Sequence, residues 1–200
     1  MTEYKYGKIN RLNKSLIKNG IDNEICQKIM ESGETIKTGD KTEKKEDWFL
    51  NSMNVMDDLL DGKIKQKVRE ECACNLKGKR QIMCKELFEK NISVEEKIEE
   101  INKNHYVFGK EIKIIGKGTY EVTFWDESMQ VKPCACWGHK NTWHLNKKMS
   151  STYCLCCGGH IKHFLEILLG KRVEVVFISS ALSSNGEKNC RFQLKEIKEK

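Results

Sequence analysis

Glu111-Ile112-Lys113-Ile114-Ile115-Gly116-Lys117-Gly118-Thr119-Tyr120-Glu121-Val122-Thr123-Phe124 decides the fold. Ile112, Ile114, Tyr120, Val122 and Phe124 alternate with polar residues on either side of Gly116-Lys117-Gly118. Period two with a glycine-bearing turn between the runs is the signature of a β-hairpin. Everything before it repeats with the period of a helix. The change of period makes the chain α+β, with a helical N-terminal half and an antiparallel sheet with flanking helices in the C-terminal half.

Working back toward the N-terminus, Ser93 and Glu96 form a capping box for a helix over Val94 to Asn102. Ile64 to Lys90 has helical character, interrupted at Asn75 to Lys79. Trp48, Phe49, Met53, Met56, Leu59 and Leu60 form a helical stripe that stops near Gly62, and a stripe of this kind belongs to a core. Gly33 to Lys45 reads as a loop. Ile21 to Glu31 reads as a helix capped by Asp22 and ended by Gly33. Toward the C-terminus, His105 is expected to begin a strand. A helix is expected over Gly159 to Leu169, with strands at Arg172 to Ser179 and Cys190 to Ile197. The division is residues 1–104, mainly helical, and 105–200, α+β, as two regions or one continuous fold.

Within this frame, eight of the ten cysteines fall in three groups: Cys72, Cys74 and Cys84; Cys134 and Cys136; Cys154, Cys156 and Cys157. Each group contains Cys-x-Cys, which on an extended segment puts both sulfurs on one face and in a turn lets them converge on one ion. Cys26 and Cys190 stand outside the groups and read as small buried hydrophobes. No apolar run reaches the length of a membrane span, and Met1 to Lys14 lacks the apolar stretch of a secretory signal. A cytoplasmic location follows, where thiols stay reduced and such patterns hold metals or do redox work.

Zinc takes four Cys or His ligands. Cys134, Cys136, Cys154 and Cys156 supply such a set from two segments, with His139 or His144 able to replace one sulfur. Cys72, Cys74, Cys84 and Cys157 are secondary candidates. An iron-sulfur cluster is the alternative cofactor, although its usual spacings are absent. Cys156 and Cys157, read as standing at a helix N-terminus, are also candidate nucleophiles, with His160, His163 or His144 as base. A redox-sensing thiol is a third reading. His160 and His163 share one helical face without an intervening acidic residue. Trp125, Trp137 and Trp143 bracket the second group and read as core or as the wall of a ligand pocket.

The run from Cys154 to Leu194, CLCCGGHIKHFLEILLGKRVEVVFISSALSSNGEKNCRFQL, resembles the closing segment of the vinyl-reductase-type (4-vinyl reductase) small-molecule-binding domains, a group related to the TRAPP transport subunits. A Cys- and Gly-bearing turn into a helix, Gly170, a Val-x-Val strand and a Gly-x-x-x-Cys-x-Phe element at Gly186 to Phe192 carry the likeness over about a fifth of the chain. Aminothiazoline-carboxylate hydrolase-like proteins look distantly similar. The resemblance implies an α+β domain of bacterial type that binds or senses a small aromatic or apolar ligand, sometimes beside a metal.

The hydrophobic share of 38% and charged share of 32% imply a small core under a charged surface. The net charge of +7 is dispersed, since Lys alternates with Glu and Asp as in Glu43-Lys44-Lys45-Glu46, which disfavours a nucleic-acid partner. The partner expected is a small molecule, with no membrane and with a homodimer left open.

Overall fold

In the computed structural model, which describes residues 4–134 and 148–197, local capping sets the helices. Among the described residues they are α1 (Gly7–Lys18), α2 (Asn23–Ile29), α3 (Thr42–Leu59), α4 (Gly62–Glu70), α5 (Lys79–Glu89), α6 (Val94–Asn102) and α7 (Ser151–Leu169). The Asp22 carboxylate accepts from the Glu24 amide at 2.8 Å and so starts α2. At α6 the capping box is complete: the Ser93 hydroxyl accepts from the Glu96 amide at 3.1 Å, and the Glu96 carboxylate from the Ser93 amide at 2.7 Å. Gly170, at φ 64°, ends α7 in a left-handed turn.

The strands are β1 (Glu111–Gly116), β2 (Thr119–Thr123), β3 (Val173–Ser179) and β4 (Arg191–Glu196). They form one antiparallel sheet in the order β1-β2-β4-β3. Opposite residues such as Val122 and Phe192, and Val175 and Leu194, share the inner face and are buried. The outer face mixes polar and apolar residues: Arg191 pairs with Glu121 at 2.8 Å, while Val176 and Ile178 are exposed. At the β3 edge, the Gln66 side-chain amide donates to the Val175 carbonyl at 2.6 Å.

Two apolar clusters meet along α7. Its C-terminal stretch, Ile161, Phe164, Leu165 and Leu168, packs on the sheet with α5 and α6, and each such fully buried side chain contributes roughly 2 kcal/mol. Its first turn gives Tyr153 and Cys154 to a second cluster with Ile9, Leu12 and Leu16 of α1 and Trp48, Phe49, Met53 and Met56 of α3. Among the described residues, no helix is long and apolar enough to cross a membrane.

Three expectations change. The helix expected from Gly159 begins at Ser151, capped by the Ser150 hydroxyl on the Thr152 amide at 3.1 Å, so Cys154, Cys156 and Cys157 are helical rather than in a turn. Gly158-Gly159, which resembles a helix breaker, is where α4 crosses: a Cβ on Gly159 would stand 2.1 Å from the Glu70 carbonyl oxygen. His105 lies in a turn before β1 instead of opening a strand, its Nδ1 2.9 Å from the Lys110 carbonyl. Helix α1 lies outside the reading above, although Ile9, Leu12 and Leu16 carry helical spacing, and α3 begins at Thr42, inside the expected loop.

Gly159→Ala is expected to cost about 3 kcal/mol or more in urea unfolding, because a backbone oxygen cannot yield as a side chain can. Gly158→Ala, whose Cβ would meet the Val175 side chain at 3.0 Å, is expected to cost less. Equal losses would refute the close-approach account.

Candidate functional site

Helical geometry sorts the third cysteine group. Residues two apart on a helix are separated by roughly 200° and residues three apart share a face. Cys154 and Cys157 accordingly line one small cavity, together with Cys134 from the chain before α7 and Cys190 from the start of β4. Phe124, Tyr153 and Phe192 complete its wall, and its volume of about 10 Å³ is that of one water-sized body. The Cys154 thiol also donates to the Ser180 hydroxyl at 3.2 Å, and the Ala181 amide donates to the Cys190 sulfur at 3.3 Å.

Cys156 faces elsewhere, toward the cations Arg69, Lys8 and Arg11. A hydrogen bond from Cys157 is the main cause that brings its thiol down to about 6; burial opposes this, and the three cations add to it. Arg69, 3% exposed, donates from Nε to the Thr152 carbonyl at 3.2 Å and from Nη2 to the Tyr153 carbonyl at 2.8 Å. Its guanidinium lies 5.3 Å from the centre of the Tyr153 ring. Burial works against its charge, but Cys72, Cys156, Tyr153 and Cys154 more than offset that and raise its pKa. Cys72, behind α4, stays a thiol because burial pushes it up despite Arg69.

The remaining candidates separate. Cys84 is buried in the sheet-side cluster, where burial pushes its thiol to about 12, while Cys72 belongs to the other cluster. Cys74 lends its backbone carbonyl to His160 Nδ1 at 2.8 Å. Since that nitrogen meets a carbonyl, it carries the proton, and Nε2 accepts from Arg80 at 3.2 Å. Burial chiefly holds His160 at about 4, so both ring nitrogens clasp the 72–80 loop and neither is poised as a base toward cysteine. His163 Nε2 likewise meets the Leu76 carbonyl at 3.1 Å. Cys136, His139, His144, Trp137 and Trp143 lie outside the described residues. Trp125 is half-buried beside the cavity wall, its amide on the Asn189 side chain at 3.1 Å.

Among the described residues, no three His, Cys, Asp or Glu side chains converge closely enough to hold a metal ion. Cys190 is buried in the sheet-side cluster, as its reading as a small core residue expects, and it also stands on the cavity wall, for which the signal was the Gly-x-x-x-Cys-x-Phe element. The buried Arg69 gave none, as one of many basic residues on a helix. On the far side of Ser180, an open groove of about 670 Å³ is bounded by Asn54, Asp57, Ser150, Phe177 and Lys188 among others. Asp57 there accepts from Lys65 at 2.9 Å and Thr152 at 2.6 Å, and from Ser150. Burial opposes its ionisation, but these donors together hold its carboxyl below the usual range.

His160 makes stability depend on pH. Its folded pKa of about 4 lies below the ordinary 6.5, so the unfolded chain binds the proton first as pH falls. Its contribution is full above pH 6.5 and is lost toward pH 4, by roughly 3 kcal/mol. Urea unfolding from pH 7 to 4.5 is expected to show this slope in the wild type and a shallower one in His160→Gln. Parallel slopes would show that the ring is not the group responsible.

No protein-family model matches the chain, and no curated protein matches it.

Proposed function

We propose that the chain is a cytosolic metal-binding protein, with zinc as the ion and a small-molecule-binding or sensing role of the vinyl-reductase type in its C-terminal half. The observation that carries this is the meeting of Cys134, Cys154, Cys157 and Cys190, from three separate segments, on one cavity. A cavity of that volume favours a single ion over an iron-sulfur cluster. Cys154 and Cys157 on α7 would supply one pair of ligands and Cys134 with Cys136, two residues beyond it in the sequence, the other, brought onto one ion by a closer approach of the two segments than the described residues show. Placing Cys157 on the cavity face moves it into the set and moves Cys156 out. The groove behind Ser180 is of ligand size and supports the small-molecule part of the reading.

A second reading rests on Cys156, which is half-buried and faces Arg69, Lys8 and Arg11: a reactive thiol, serving a thiol-dependent enzyme or a redox sensor.

One experiment separates the two. Protein purified anaerobically without an affinity-metal step is expected to carry about one zinc per chain. Cys157→Ser is expected to lose it and Cys156→Ser to keep it. Metal-free wild-type protein whose Cys156 alkylates fastest at pH 7 would replace the first reading with the second.

A further inference from the structure

The open groove behind Ser180 has a wall of a different kind from that of the cysteine cavity. Among the described residues it carries six serine hydroxyls, the carboxamides of Asn54 and Asn185, and one aromatic ring, Phe177. Its formal charges cancel, Asp57 and Glu187 against Lys148 and Lys188. Such a wall selects no ionic ligand. An aromatic or apolar one, the kind that the resemblance implies, would strip water from these polar groups without replacing its hydrogen bonds.

Counting lone pairs shows what the wall offers. The Ser180 hydroxyl oxygen accepts from the Cys154 thiol at 3.2 Å and from the Ser183 amide at 3.1 Å, which fills both of its lone pairs. Its own proton therefore goes to the Ser183 hydroxyl oxygen, 2.7 Å away. The Ser183 proton is held only by a long 3.4 Å contact to the Ser180 carbonyl, which already accepts from the Ser184 hydroxyl at 2.8 Å. That proton is a donor ready for an occupant of the groove. From α3, Asp57 Oδ1 accepts from Lys65 and Thr152, whereas Oδ2 accepts from Ser150 alone and retains an acceptor position. Asn54 and Asn185 are exposed, and each carboxamide both donates and accepts. Phe177 stands edge-to-face with Phe192 at 5.6 Å, which fixes the plane of its ring.

We propose that this groove binds a neutral polyhydroxylated molecule, a sugar or polyol. Its hydroxyls donate to Asp57 and accept from Ser183, the two carboxamides take donors and acceptors alike, and a C–H face lies against the negative face of the Phe177 ring. The groove volume of about 670 Å³ has room for one or two sugar rings. This rests on the small-molecule part of the reading above, exchanges its aromatic ligand for a hydroxylated one, and does not involve the metal.

The full chain is titrated calorimetrically with glucose, N-acetylglucosamine, maltose and myo-inositol, and in parallel with phenol and indole. At least one hydroxylated probe is expected to bind with a Kd of about 1 mM. Ser183→Ala and Asn54→Ala are each expected to weaken it about threefold to tenfold, the loss of one hydrogen bond. Asn54 is exposed on α3, so its variant folds even if Ser183→Ala does not. Sugar binding that neither variant weakens places the sugar elsewhere and overturns the assignment. Binding of phenol or indole without any hydroxylated probe overturns the hydroxylated class and leaves the small-molecule reading standing, whereas a chain that binds neither set overturns both.

Discussion

The contact on which the other features depend is the crossing of α4 and α7 at Gly158-Gly159, where the Glu70 backbone occupies the space of a side chain. That approach brings Arg69 within hydrogen-bonding distance of the α7 carbonyls and sets Cys72 beside the turn that bears Cys156. It also lets α7 serve two apolar clusters, the helical one at its first turn and the sheet at its last. Moving α7 outward by the width of a methyl group would separate the thiols from their cations before it exposed much of the core.

The thiols divide by helical phase, and their chemistry follows that division. Cys154 and Cys157 look toward Phe124, Phe192 and the sheet, where the cavity wall is apolar. Cys156 looks toward α1 and α4, where Lys8, Arg11 and Arg69 gather. Two adjacent residues thus sit in opposite electrostatic settings, and Arg69 lies at the boundary, facing Cys154 as well as Cys156.

Much of the fold was legible in the sequence because it depends on local signals. The hairpin around Gly116-Lys117-Gly118, the Ser93–Glu96 box and the Asp22 cap each act within a few residues and were readable there. The start of α7 was not, because Gly158-Gly159 argues against a helix locally and is required only by α4, about ninety residues earlier in the chain. The same error of scale affected the cysteines: Cys-x-Cys suggests convergence on a strand or turn, whereas a helix sends the two sulfurs apart and pairs Cys154 with Cys157 instead. Cys190 looked solitary because its neighbours on the cavity wall are distant in sequence.

Gln66 on the Val175 carbonyl has a consequence for the sheet's outer margin. Strand β3 is an edge, with Val176 and Ile178 partly exposed on it, and such a margin invites a passing extended chain to dock by backbone hydrogen bonds. The side-chain amide from α4 has already claimed one of the acceptors such a guest would need, so recruitment of a foreign strand must first displace a bond that also fastens helix to sheet. A contact that looks like ordinary interior fastening is therefore also a guard against runaway edge-to-edge polymerisation.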